Sequence, residues 1–220
     1  MALGFIWIIG ASILGFTIAA IFAGWLRFQR NIYLLFYIPL VTAFFIFFII
    51  SNDFNVRAHI LYNWYWGLIG AALASGFVIK NVLSQPSSER HGGFALLSDI
   101  IWPGLTYGLC DALLLSVVPI LATRLAFSDI IRINGLVGRI GFGITALIAS
   151  CFVTVIYHLG YPEFRGKKVL WPLIGNGVLS VAYLLTMNPL AAILPHIGMH
   201  ITAMVHGRET TGQVPPHYND

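Results

Sequence analysis

Apolar residues dominate the chain in runs of about twenty, and the polar positions collect in short breaks between them. A helix that spans the hydrocarbon core of a bilayer needs about 20 consecutive apolar residues. Seven segments qualify: Ala2–Leu26, Ile32–Ile50, Leu61–Leu83, Ile100–Leu125, Leu136–His158, Val169–Met187 and Leu190–Val205. The pattern predicts an all-α fold, a polytopic transmembrane bundle of about seven helices. Residues 1–206 form one membrane domain in this reading, and residues 207–220 a polar C-terminal tail.

The breaks support these spans. Ser84–Arg90 reads Ser-Gln-Pro-Ser-Ser-Glu-Arg, a surface loop. Asn188-Pro189 leaves the last two segments almost no connection, so they are either a tight hairpin or one broken helix. The N-terminus lacks the basic start of a signal peptide, and its apolar run is too long for a signal core. It is read as the first span. Ala11, Gly15, Ala19 and Ala23 fall every fourth residue along that span, and Gly67, Ala71 and Ser75 do so along the third. Small-residue ridges of this kind let helix backbones approach closely, within the bundle or across a dimer face. Ile8 falls on the opposite face of the first ridge. Trp25, Trp64, Trp66, Trp102 and Trp171 lie near segment ends, as an interfacial aromatic belt requires.

Composition sharpens the picture. The 220 residues are 58% hydrophobic and only 9% charged, whereas soluble domains carry roughly 25% charged residues. The net charge of +4 comes from 12 Lys and Arg spread over the connections. That dispersion excludes a nucleic-acid surface and points to topology instead. With the N-terminus outside, Arg27, Arg30, Lys80, Arg90, Arg165, Lys167, Lys168 and Arg208 lie inside. Arg57, Arg124, Arg132 and Arg139 lie outside. This excess predicts N-out, C-in in a bacterial inner (cytoplasmic) membrane. The expected partners are the lipid bilayer and membrane proteins, as partners or substrates. Cys110 and Cys151 both lie in apolar runs and suggest neither a disulfide framework nor a zinc site. Pro215-Pro216-His217-Tyr218 in the tail matches a short WW-ligand pattern of low specificity.

Candidate chemistry comes from ionisable groups at membrane depth, which are costly and normally face a cavity or a partner. Asp111 lies midway along the fourth span, and His158 closes the fifth. His196 and His200 sit four residues apart in the last span, on one helix face. Asn176, between two glycines, is a further polar candidate. Asp111, His158, His196 and His200 are the predicted site. Such a set suits a divalent metal, or activation of water with imidazoles steadying an oxyanion. The non-enzymatic alternative is an accessory subunit of a larger membrane complex, whose histidines are structural or ligate haem or a pigment. No inverted repeat supports a transporter.

From about Ile100 to Val205 the chain resembles the CPBP family of intramembrane proteases, which includes the CAAX prenyl endopeptidases. That family carries Glu-Glu-x-x-x-Arg, then Phe-x-x-x-His, then His-x-x-x-Asn or a similar closing motif. Here the order is Asp111, then His158 in Thr154-Val-Ile-Tyr-His, then His196-Ile-Gly-Met-His200. One acid stands where the family has two, Leu115 where it has arginine, Thr154 where it has phenylalanine and His200 where it has asparagine. The resemblance implies a diverged intramembrane endopeptidase that hydrolyses peptide bonds of membrane substrates. Asp111 would activate water, and the three histidines would orient it or stabilise the oxyanion.

Overall fold

The computed structural model describes residues 2–133 and 135–214. Among the described residues every element is helical, and seven helices are long and apolar enough to cross a bilayer. They are α1 (Leu3–Trp25), α2 (Arg30–Ser51), α4 (Trp64–Leu83), α5 (Gly93–Ser128), α6 (Gly135–Leu159), α7 (Gly166–Thr186) and α8 (Leu190–Gly207), with the short α3 (Val56–Leu61) between α2 and α4. Helices suit lipid because each satisfies its own backbone. All seven predicted spans are present, and their ends move by a few residues. The fourth changes most: it is a 36-residue helix starting at Gly93.

That long helix is the axis of the bundle. Its most apolar stretch is 78% buried, against 22–44% for the other spans. α5 packs against α1, α2, α6 and α8, while α4 lies along α8 and α7. α5 loosens into wider π-type turns at Ile100–Thr106, around Pro103, and at Leu113–Val117. A π turn frees a backbone carbonyl from its helical partner, and such turns often mark functional stretches.

The small-residue ridge on α1 faces inward. Ala11 and Ala19 are fully buried. A methyl at Gly15 would meet the Tyr157 ring at 3.2 Å, and one at Gly160 would meet Ala19 at 2.7 Å. α1 and α6 therefore touch backbone to backbone, and the dimer-face reading of this ridge falls away. Ile8 is buried as well, contrary to the sequence expectation; the outward face carries Leu3, Ile6, Ile9 and Ile13. On α4, Gly67 and Gly70 admit Asn188, Thr186 and Ala191 of the α7–α8 corner. That corner is a tight hairpin. Met187 adopts φ 54°, reversing the chain. Asn188 accepts the Leu190 N–H at 2.9 Å and donates to the carbonyls of Ile60 and Tyr62 at 2.8 and 2.6 Å, pinning α3 beneath it.

The alternating passage of the spans gathers the connections near residues 26–29, 84–92 and 160–165, together with the tail, at one end. Contacts there confirm the grouping: Arg30 donates to the Arg208 carbonyl at 3.0 Å, and the Ser88 N–H to the His206 carbonyl at 3.1 Å. The described part of the tail folds back. The Gly212 N–H donates to Gln85 at 2.9 Å, the Gln85 and Gln213 side chains bond at 3.0 Å, and Val214 is buried with Val82, Ala203 and Met204. The WW-ligand pattern at 215–218 lies outside the described residues. Trp25, Trp64, Trp66 and Trp171 are exposed at helix ends, as a belt requires, whereas Trp102 is partly buried against the core because α5 begins well before it, at Gly93.

Candidate functional site

Four helices each present a polar pair spaced four residues apart, and the pairs converge. α2 contributes Tyr33 and Tyr37, α5 Tyr107 and Asp111, α6 Tyr157 and Tyr161, and α8 His196 and His200. Tyr161 lies just past the end of α6. All eight are buried. The four-residue spacing stacks each pair on one helix face, so four inward faces enclose one polar core.

Asp111 is its centre. Tyr37 Oη donates to Oδ1 at 2.7 Å. On the other side Oδ2 lies 3.1 Å from His196 Nε2 and 3.6 Å from His200 Nε2. The two imidazoles stack at 5.3 Å between ring centres, nearly parallel at 18°. Tyr107 sets its ring edge-to-face on His200 at 4.7 Å. α5 and α8 can approach this closely because residue 108 is glycine: a methyl there would lie 2.9 Å from Ile197 Cα and 3.2 Å from His200 Cδ2.

A tyrosine cluster continues from this centre. Tyr107 and Tyr157 hydroxyls lie 3.0 Å apart, and those of Tyr33, Tyr157 and Tyr161 close a triangle of 3.3, 2.5 and 2.7 Å. Four hydroxyls share four hydrogen bonds, so each proton has an acceptor. His158 stands apart from Asp111's immediate shell. Its Nδ1–H donates to the Thr154 carbonyl at 2.8 Å, and its ring meets Phe164 edge-to-face at 5.0 Å.

A cavity of about 1480 Å³ links these groups to the end of the bundle that carries the tail. Asp111, His158, His196 and His200 all line it, with Tyr107 and Asn176. Phe77, Trp171, Ile174 and Met199 supply apolar wall, and Arg30, Glu163, Lys168, Arg208 and Glu209 lie toward the mouth. Partial burial pushes the Glu163 carboxyl above the usual carboxylate range. The mouth charges pair: Arg30 and Arg208 both reach Glu209, at 3.7 and 2.7 Å, and Arg208 and His91 both reach Asp99, at 3.3 and 2.9 Å. Thr211–Val214 of the tail also line the cavity, and the main chain of Gln213 comes up beside His200.

Asn176 has a separate task. It donates to Ser150 at 3.0 Å, Thr154 at 2.7 Å and the Leu115 carbonyl at 3.3 Å, and accepts from Ser116 at 2.8 Å. Ser150 donates to the same carbonyl at 2.6 Å. Leu115 sits in the second π turn of α5, and this network gives its carbonyl two side-chain donors.

The structure thus brings together Asp111, His196 and His200, and sets His158 on the same cavity wall outside their contact. The tyrosines are the residues that sequence reasoning passed over. Their signal was available: Tyr33/Tyr37, Tyr107/Asp111 and Tyr157/Tyr161 repeat the spacing of His196/His200. No protein-family model matches the chain, and no curated protein or solved structure matches it.

Proposed function

We propose that the protein is a membrane-embedded hydrolase, a diverged relative of the CPBP proteases that cleaves peptide bonds of membrane substrates. The observation that carries this reading is a carboxylate hydrogen-bonded by Tyr37 and His196, with His200 3.6 Å away, on the wall of a cavity open at one end of an apolar bundle. A carboxylate so placed lines the cavity, and each oxygen keeps a lone pair beside its one donor with which to accept a proton. Water beside Asp111 gives up a proton to the carboxylate as its oxygen bonds the scissile carbonyl carbon. The C–N bond then breaks, and the same proton passes to the leaving nitrogen. His158, with Nδ1–H donated to Thr154, carries its lone pair on Nε2 and suits proton acceptance better than oxyanion donation. The haem or pigment reading has less support, because both Nε2 atoms of the α8 pair turn to a carboxylate and not to a flat apolar slot. The lysine and arginine count supports an N-out, C-in orientation in the bacterial inner membrane, with the cavity mouth in the cytoplasm.

The test needs no prior substrate. Membranes from cells expressing the wild-type chain or Asp111→Asn are compared by mapping new peptide termini. Cleavage products present with the wild type and absent with Asp111→Asn are expected. Identical termini in the two samples, with both chains folded and inserted, overturn the hydrolase reading.

A further inference from the structure

The α8 histidines are oddly provided for. His200 is 3% exposed, yet neither ring nitrogen makes a well-formed hydrogen bond, and His196 Nδ1 also lacks one. A buried imidazole that makes no hydrogen bond of good geometry carries much of the desolvation cost of its polar atoms. A single proton on His196 Nε2 answers one of these needs and leaves His200 Nε2, 3.6 Å from Asp111, outside hydrogen-bond range.

We infer that Asp111, His196 and His200 form a binding site for one divalent cation of the zinc class, with the fourth position directed at the cavity. One ligand atom from each of the three lies within 4.8 Å of the others. A tetrahedral ion with bonds of about 2.0–2.1 Å has ligand-to-ligand edges of about 3.4 Å. The two Oδ2···Nε2 separations, 3.1 and 3.6 Å, straddle that edge. One ion between them takes both Nε2 lone pairs and the carboxylate oxygen together. The outer shell is also in place. Tyr37 fixes the second carboxylate oxygen at 2.7 Å, Tyr107 braces the His200 ring, and the Gln213 main chain stands beside it. Two nitrogens and one oxygen with an open fourth place match the ligand set of catalytic zinc. The cavity supplies both the path for the ion and the water for that place. His158 belongs to the wall and not to the ligand set.

With the ion bound, Asp111 serves as a ligand and not as the base. In a hydrolase the water's proton would then pass to another cavity group, for which His158 has its Nε2 lone pair. The ligand geometry stands whether or not the chain hydrolyses peptides, and a chain that binds metal and cleaves nothing overturns only the hydrolase reading. The test uses the full chain in detergent, stripped with a chelator and titrated with Co²⁺ and then Zn²⁺. One Co²⁺ per chain is expected, with the intense visible bands of tetrahedral coordination, displaced by one Zn²⁺. Asp111→Asn and His200→Gln abolish the bands; His158→Gln leaves them. Tyr37→Phe keeps every ligand and weakens binding about 10–100-fold by removing outer-shell support. Circular dichroism and size-exclusion profiles report folding for each variant. Absence of a stoichiometric ion in the folded wild type overturns the inference. So does binding that survives His200→Gln, or that is lost in a folded His158→Gln.

Discussion

Gly108→Ala is the most local perturbation available at the α5–α8 contact, because it adds one methyl and changes no polar group. That methyl would stand 2.9 Å from Ile197 Cα, a backbone atom, and 3.3 Å from the His196 carbonyl oxygen. Carbon atoms in ordinary contact sit about 3.6 Å apart, so the helices must separate by about 0.7 Å at this point. Carried to the adjacent residues, that shift moves Asp111 Oδ2 and His196 Nε2 from 3.1 Å to about 3.8 Å, beyond hydrogen-bond range and off the edge length of a tetrahedral ion. Overpacking of this size costs about 1–3 kcal/mol of stability, and a displacement near 1 Å at a reacting centre costs about 100-fold in rate. Cobalt affinity and terminal mapping, each measured beside Gly175→Ala, check the outcome. Gly175 lines the same cavity, but a methyl there meets nothing within 4 Å. Wild-type metal affinity in Gly108→Ala would refute the reasoning, since it would mean that the α5–α8 spacing does not set the cluster.

Two further outcomes follow from features away from Asp111. Asn176→Ala leaves the Leu115 carbonyl with one partner fewer and strips acceptors or donors from Ser116, Ser150 and Thr154, so thermal melts in detergent should show a loss of about 2–4 kcal/mol. His59 accepts from Arg124 at 3.2 Å, and burial, with Arg124 second, holds its pKa below the ordinary value. The stability this clasp contributes is therefore present above pH of about 6.5 and lost as pH falls; melts across that range should show the loss in the wild type and not in His59→Gln, whose amide oxygen accepts at either pH.

The span count was legible because lipid imposes one rule on every segment: about twenty apolar residues or none. Asp111 and the α8 histidines stood out for the same reason, since an ionisable group among Leu and Ile needs a cavity or a partner at that depth. The reach of α5 back to Gly93 was not legible: the apolar run begins only at Ile100, and Asp99 just before it finds its partners, Arg208 and His91, through tertiary contacts. Ile8 was misplaced because a ridge of small residues was given one face when α1 is buried over a wider arc. The tyrosines were passed over because a tyrosine in an apolar helix also suits a membrane interface. Their convergence depends on how four helices rotate about their axes, which spacing along one chain does not encode.

The seated tail bears on how this protein should be handled at the bench. Val214 is clasped by Val82, Ala203 and Met204, and Thr211–Val214 border the cavity that holds the cluster. An affinity handle or topology reporter placed beyond Val214 is joined to a segment that borders this wall. Insertion between Glu89 and Arg90, both exposed at the same end of the bundle, reports the same side of the membrane from positions that do not line the cavity.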